Sequence, residues 1–485
     1  MEVGLHAELP RLSREAPTMP KTGIVHLGLG AFFRAHGAIY IEEAMKASGG
    51  DWGIIGVSLQ SPRMRDQLAP QAFVYTAQEL GPEGETLRKV EVIQDVLVAR
   101  EDPDAVLQAL ANPDVRIVTL TVTEKGYCHD PATGALNTSH PDIRSDLEDE
   151  LPVSAPGYLV RALQRRKAAG VPPFTVLTCD NLPDNGRLVK GIVLAFAKLL
   201  DPELAEWIED EGRFPATMVD RIVPATKPED IDALASSTGQ LDLAPVLHEP
   251  FRQWVVEDDV VPAYGAAARP DFGAVGVELV ENVTAHEHMK LRMLNGAHSS
   301  LAYLGYLAGQ ETIADTVADP VFATYVKGLW RNEILPSFKA PDGVDMEAYA
   351  DALFGRFSNP AIRHRTWQIA MDGSQKLPQR LLGTLRDNLA SGRSCPRLVT
   401  AVAAWMIYVG GADLSGKDID VQDPLAERLK SLSSKAGTSA EKVSALLGVA
   451  DVFDAELATQ LQTQLVGAYD RLVAQGVRQT LGEIG

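Results

Sequence analysis

A chain of 485 residues is too long for one hydrophobic core, so two or three domains are expected. With 45% hydrophobic and 23% charged residues the composition is that of a folded, soluble protein. The formal net charge of −20 argues against a nucleic-acid binder and against a polybasic membrane anchor, but a local basic pocket could still take a small anion. The three cysteines (Cys128, Cys179 and Cys395) are odd in number and form no CxxC. Neither a disulfide framework nor a thiolate zinc site is expected, and a reducing cytoplasm fits.

Residues 1–20 contain no apolar stretch like that of a signal peptide and are read as an N-terminal extension. No apolar run approaches membrane-spanning length. GIVHLGLG, residues 23–30, is a short apolar run ending in glycines, the profile of a first parallel strand entering a tight turn. The helical stretch HGAIYIEEAMKAS follows, then a second strand at 52–59. Further buried strands are expected at 115–123 and 173–181, with helices at DPDAVLQALA and GYLVRALQRRKAAG between them. Strands alternating with helices indicate an α/β, Rossmann-like, doubly wound and mostly parallel sheet over 21–282. After about residue 280 strand signals become scarce and long helical patterns dominate, among them DTVADPVFATYVKGLWRNEI and RLVTAVAAWMIYVGG. Residues 283–485 are therefore read as a mostly α-helical second domain.

The first strand runs into Gly28-Leu29-Gly30-Ala31-Phe32-Phe33. The GxG spacing suits a dinucleotide turn: one glycine for the turn, one for approach of a pyrophosphate, and a helix N-terminus facing the phosphates. Phe33 stands where a third glycine is usual, and glycines after strands also make plain turns, so the spacing leaves both readings open. The candidate cofactor positions are Gly28, Leu29, Gly30, Ala31 and Phe32, with Ser61 beyond the second strand. That strand ends Leu59-Gln60-Ser61-Pro62-Arg63 with no acid for the ribose hydroxyls of NAD. Arg63 or Arg65 could instead meet a 2′-phosphate, which leaves NADP open beside NAD.

KLRMLNGAHSS, residues 290–300, is a largely apolar helical stretch that carries Lys290, Arg292, Asn295 and His298. At α-helical spacing, with Lys290 as zero, Glu287 falls at about 60°, His298 at about 80° and Asn295 at about 140°. The four share one side with Leu291 and Leu294, which is unusual for a solvated face and points to a cleft wall. A desolvated lysine is a usable base near neutral pH. Asn295 can donate to a carbonyl oxygen, and Gly296 and Ala297 allow close approach of a ligand or a neighbouring backbone. The alternative is a lysine that snorkels to solvent. His286 and His288, two apart on a helix, do not face one another, and no metal site is expected.

The stretches GLGAFFRAH, TVTEKGY (121–127), TCDNLPDNG (178–186), MVDRIVP (218–224) and above all Lys-x-x-x-x-Asn-x-x-His at 290–298 resemble the polyol-specific long-chain dehydrogenases, the mannitol dehydrogenase family. The likeness runs along essentially the whole chain. It implies a metal-independent, NAD(P)-linked alcohol/ketone oxidoreductase of two domains with its active site in the cleft between them. It implies Lys290 as general acid/base, Asn181 and Asn295 as the amides that polarise the reacting oxygen, His298 as a substrate-orienting residue, and Glu287 as a carboxylate near the proton path. Asp220 and Lys376 match substrate-binding positions. Residues 356–382, RFSNPAIRHRTWQIAMDGSQKLPQRLL, resemble the branch acting on hexuronates (D-fructuronate and D-mannonate) more than the mannitol branch, whose members tend to have arginine where this chain has Gln368. A hexuronate carboxylate wants a bidentate arginine, for which Arg363, Arg365 and Arg252 are candidates, each equally readable as a surface ion pair. The expected partner is a small hexuronate or polyol, with no nucleic acid and no membrane; oligomeric state stays open. A polyol dehydrogenase acting on a neutral ketose, and a dinucleotide-binding protein without chemistry, are the rival readings.

Overall fold

The computed structural model describes residues 9–15, 19–131 and 133–484. Its strands, in chain order, are β1 (Thr22–Leu27), β2 (Gly53–Ser58), β3 (Tyr75–Gly81), β4 (Gly84–Val90), β5 (Ile93–Val98), β6 (Ile117–Leu120), β7 (Thr175–Thr178), β8 (Thr217–Asp220), β9 (Val246–His248), β10 (Gln253–Glu257) and β11 (Glu278–Val280). All lie in the first of two units, Met1–Thr284; the second is Ala285–Gly485.

Five strands form an all-parallel sheet in the order β5-β2-β1-β6-β7. From β1 the chain winds outward through β2 to β5, then crosses back to lay β6 and β7 on the other side. This is the expected doubly wound topology, and the order reverses between β1 and β6. Ligands bind such sheets beyond the carboxyl ends of the strands at that reversal. Both sheet faces are covered, which is why β1, β6 and β7 are mostly apolar and lack a polar alternation. Along β1 the side chains alternate: Ile24 joins the core with Ile39, Tyr40 and Trp254, while Val25 and Leu27 join the core with Val106, Leu110, Leu159 and Val193. The covering helices begin where their caps dictate. Asp102 accepts from the Ala105 N–H before Pro103–Ala111, and Ser154 from the Gly157 N–H before Ala155–Ala168.

Two small sheets had no counterpart in the sequence reading. In one, β3 pairs antiparallel with β4 and parallel with β9; in the other, β10 lies between β8 and β11. Strand β4 is an edge strand whose first four residues are exposed, so it lacks the apolar alternation by which a strand is recognised.

The expected extension lies partly outside the described residues, at 1–8 and 16–18. Its described part is attached to the first unit. Leu12 donates to the Leu241 carbonyl (3.1 Å), Leu241 donates to Pro10 (2.9 Å), and the Arg14 guanidinium bonds the Glu91 and Ile93 carbonyls.

The second unit is helical. The helix Pro396–Tyr408 is buried from Arg397 onward and packs into a core with Leu301, Tyr325, Leu353 and Leu465. DTVADPVFATYVKGLWRNEI is not one helix. It breaks at Asp319, which caps Pro320–Leu329 by accepting from the Val321 N–H (2.9 Å), and it ends in a π-helical turn, Trp330–Ile334. Among the described residues no helix is long and apolar enough to cross a membrane. All three cysteines are buried and free.

Candidate active site

In the first unit the glycine turn sits at the carboxyl end of β1. The Gly28 N–H and Leu29 N–H both donate to the Val57 carbonyl (2.9 and 3.2 Å), which folds the chain back over β2. Gly28 has φ +89°, and a Cβ there would collide with the Thr121 carbonyl oxygen. Glycine is required at this point on both counts. Gly30 differs: its backbone is extended (φ −105°, ψ −176°), and the nearest atom to a Cβ would be the Gly28 oxygen at 3.8 Å. The space over Gly30 is open, as a pyrophosphate cradle requires, and the first helical residues Ala31 and Phe32 follow it. Phe33, at the place of the third glycine, is buried and stacks on His26 (ring centroids 3.4 Å apart, 6° between planes). The helix Ala31–Ala35 is accordingly short, and a second helix, Gly37–Ser48, starts after a break at His36.

His26 supports the turn from beneath. Its ring nitrogens lie 2.8 Å from the Thr119 Oγ and 2.9 Å from the Thr121 Oγ, and Thr121 donates to the Gly28 carbonyl (2.8 Å). Burial pushes its pKa down to about 3, so the ring is neutral. At the end of β7, one strand further across, Asp180 accepts from the Val122 N–H (2.9 Å), the Thr123 N–H (3.1 Å) and the Tyr127 hydroxyl (2.7 Å). Burial raises the Asp180 pKa, and these three donors oppose that rise. Thr123 is held at φ +65°, a sparsely populated conformation for a β-branched residue. Asn181 is exposed immediately after Asp180, so the TCDN stretch both fixes the TVTEKGY loop and presents an amide at the same sheet edge as the glycine turn. Asp220 is buried at the end of β8.

Ser61 is exposed, with its Oγ accepting from the Arg63 N–H (3.3 Å). Arg65 is paired with both Glu101 and Asp66, whereas Arg63 is exposed and makes no side-chain pair among the described residues. Of the two candidates for a 2′-phosphate, only Arg63 is uncommitted. Arg252 lies over the Tyr40 ring (4.1 Å) and bonds Glu43, which gives it a structural role.

In the second unit the stretch at 290 departs from the expected geometry. Thr284–Met289 is α-helical, Lys290–Gly296 is a π-helical turn, and the α-helix resumes over Ala297–Leu307. The α-helical angles therefore need correction. In the wider turn hydrogen bonds run from i to i+5, and Asn295 becomes the one-turn neighbour of Lys290 instead of lying about 140° around from it. Such turns occur frequently at functional sites. Trp330 supplies a local cause, since its indole N–H donates to the Met293 carbonyl (2.8 Å). The close approach expected at Gly296 is to backbone, because a Cβ would lie 2.7 Å from the Arg380 carbonyl oxygen. Arg380 itself belongs to a further π-helical turn, Pro378–Leu382. Lys290 is buried (7% exposed), while Asn295 and Glu287 are half-buried.

His298 is buried against Phe357 (5.1 Å between centroids, stacked) and edge-on to His364 (4.7 Å). Burial first, then the charges of Arg380, Arg356 and Lys376 beside His364, hold its pKa well below the usual range. His364 is lowered to about 4 by burial and the same Arg380 and Lys376. Both rings are neutral. Lys376 is half-buried, donates to the Met371 carbonyl (2.6 Å) and stands 3.9 Å from Asp372. The sequence reading missed Arg380, His364 and Phe357; the only signal for Arg380 was its position four residues after Lys376. Arg363 and Arg365, by contrast, are exposed and share Glu311, and Gln368 is exposed on the short helix Thr366–Ala370. These three are not gathered around His298 by any described contact.

One group of potential metal ligands occurs among the described residues: Cys128, His140 and Asp142. The His140 Nδ1 already accepts from the Asp142 N–H as a helix cap (3.2 Å), and burial raises the Cys128 thiol to about 11, so the trio is accounted for by capping and packing.

Two family models match the chain: the mannitol dehydrogenase Rossmann domain over residues 22–266 and the mannitol dehydrogenase C-terminal domain over 282–473. The chain is 45% identical to the D-mannonate oxidoreductase of Escherichia coli over 468 residues, covering 95% of each. It is 39% identical to mannitol dehydrogenase DSF1 of Saccharomyces cerevisiae over 484 residues, covering 96% of this chain and 95% of the other. Among solved structures it is similar to Pseudomonas fluorescens mannitol 2-dehydrogenase in a ternary complex with NAD and D-mannitol. There the TM-score is 0.85 at 37% identity, over 99% of this chain and 97% of that one.

Proposed function

The chain belongs to the mannitol dehydrogenase family, and on that premise we propose that it is an NAD-linked oxidoreductase that interconverts D-fructuronate and D-mannonate. The observation that carries the chemistry is a buried lysine, Lys290, on a widened helical turn that brings Asn295 into register with it, three residues before a buried neutral His298. The choice of a sugar acid rests on residues 356–382 and on the 45% identity to a D-mannonate oxidoreductase.

Residues Gly28–Phe32 would hold the cofactor, whose pyrophosphate fits the open space over Gly30. Bound nicotinamide supplies hydride to a keto carbon, or accepts it from the alcohol. The protein attends to the oxygen. As the keto oxygen gains negative charge, the amide N–H of Asn295 donates to it, the role the family resemblance also gives Asn181, and such preorganised donors act most strongly where water is excluded. The Lys290 ammonium then delivers the proton that makes the alcohol; in the oxidative direction the neutral amine removes it. His298, fixed by Phe357 and uncharged, orients a substrate hydroxyl without competing for that proton. With acid/base and oxygen-polarising roles filled by side chains, the reading requires no metal, and a chelator should leave the rate unchanged.

The neutral-ketose reading has support of its own in the likeness to a mannitol 2-dehydrogenase. The deciding measurement is kcat/KM for fructuronate and for fructose, each with NADH and NADPH. A large preference for fructuronate with NADH is expected; equal or reversed ratios would overturn the sugar-acid assignment.

A further inference from the structure

We infer that Arg380 is the substrate-carboxylate anchor, working with Lys376 beside His298, and that it selects a sugar acid over a neutral sugar. This rests on the sugar-acid reading above and deepens it by naming the residue that enforces it.

Arg380 is placed by backbone. Its carbonyl abuts Gly296 in the Lys290 turn, and its Nη1 donates to the Ser299 Oγ (3.1 Å), one residue beyond His298. Lys376 precedes it by four residues, and the charges of both act on His298. The buried Arg356 adds a third positive charge to His298's surroundings. Among the described residues no carboxylate pairs with Arg380, and the one group that favours its charge is the Tyr303 phenol. Asp372 and Asp423 favour the charge of Lys376, and Asp423 is already committed to the Ser374 N–H (2.7 Å) and hydroxyl (2.6 Å).

A half-buried guanidinium with no carboxylate paired to it among the described residues is unfavourable, and burial lowers its pKa. An incoming carboxylate removes that penalty, and the planar fork of arginine matches it bidentately. The neighbouring imidazoles, both neutral, can hydrogen-bond the sugar hydroxyls without adding charge. The arginines that the sequence pointed to are spent elsewhere: Arg363 and Arg365 on Glu311, and Arg252 on Glu43.

The test compares wild type, Arg380→Gln and Arg380→Lys with fructuronate and fructose, alongside the Kd for NADH and the melting temperature. Losing a charge-assisted hydrogen-bond pair should raise KM for fructuronate about a hundredfold, with kcat changed less than about threefold. The kcat/KM for fructose and the Kd for NADH should stay within about threefold. Arg380→Lys, which keeps the charge but not the fork, should fall between, at about a tenfold rise in KM. If Arg380→Gln fails to fold, the lysine variant decides: a tenfold KM rise at unchanged melting temperature supports the assignment, and an unchanged KM overturns it. Equal losses on both sugars, or no loss on either, overturn it too while leaving the sugar-acid reading intact. A wild type that prefers fructose removes the sugar-acid reading itself.

Discussion

Gly28 and Gly30 are two residues apart in one turn, yet alanine should damage them in different ways. At Gly28 the backbone is at φ +89°, where an L-residue costs about 1–2 kcal/mol. The added Cβ would also meet the Thr121 carbonyl, which cannot retreat because the Thr121 N–H is bonded to the Leu27 carbonyl at 3.0 Å. Overpacking against fixed backbone adds about 1–3 kcal/mol, so Gly28→Ala should lose about 3 kcal/mol of stability in all. At Gly30 the backbone suits any residue and the nearest atom is 3.8 Å from the new methyl. Stability should change by no more than about 0.5 kcal/mol. The methyl instead occupies the pyrophosphate's approach, and the same overpacking of about 1–3 kcal/mol now falls on the ligand, as a rise of about tenfold to a hundredfold in Kd. Urea unfolding followed by tryptophan emission reads the first quantity, and NADH fluorescence titration the second. Gly30→Ala protein that binds NADH like wild type, or that unfolds as readily as Gly28→Ala, would refute the cradle.

Lys290→Ala should lower kcat by about 10²–10⁴-fold while the Kd for NADH moves little; a rate within tenfold of wild type would remove the lysine from acid/base duty. Trp330→Phe deletes the indole bond to the Met293 carbonyl and should cost about 1 kcal/mol in stability, together with a fall in kcat as the turn at 290 relaxes toward α; unchanged kcat would separate the turn from the chemistry. In acid, His26 (folded pKa about 3) and His248 (about 4) are both depressed below 6.5, chiefly by burial. Their stabilisation is therefore complete above pH 6.5 and is lost as pH falls, each contributing a slope of about 1.4 kcal/mol per pH unit. Asp146, Asp180 and Glu333, all raised by burial, favour the fold as they protonate and oppose part of this loss. The loss should set in near pH 6.5 and run down to about pH 4, and His26→Asn should flatten it in urea midpoints taken across that range; an equal slope in both proteins would refute the assignment.

What was legible in the sequence follows from how each element is stabilised. Strands β1, β2, β6 and β7 are buried on both faces and announced themselves as short, mostly apolar runs. Their covering helices announced themselves by capping residues and glycine stops. The strands β4, β9 and β11 did not, because seven, three and three residues of mixed polarity carry too little period to recognise. The helix break at Asp319 was written in the Asp-Pro pair, which caps and begins a helix and cannot continue one. The arginines misled for a physical reason. Arg363 and Arg365 stand close to Lys376 in sequence, but exposure and a shared Glu311 decide their role, and burial cannot be read from a run such as RHR.

The turn at 290 shows the limit most clearly. Polar residues among leucines pointed to a working surface, yet α-helical spacing left Asn295 about 140° from Lys290, at the far edge of that side. What brings them into register is a widened turn supported from outside the segment: Trp330 takes the Met293 carbonyl, and the Arg380 backbone abuts Gly296. Neither partner is near in sequence, and no local preference of KLRMLNG specifies a π-helical turn. The same outside contact positions Arg380 itself, whose side chain reaches Ser299. One backbone approach thus sets the acid/base turn and the cationic group together, so a substitution at Gly296 should disturb turnover and sugar-acid affinity at once, whereas Lys290→Ala touches only the first and Arg380→Gln only the second. Kinetics of Gly296→Ala that separated the two would break that linkage.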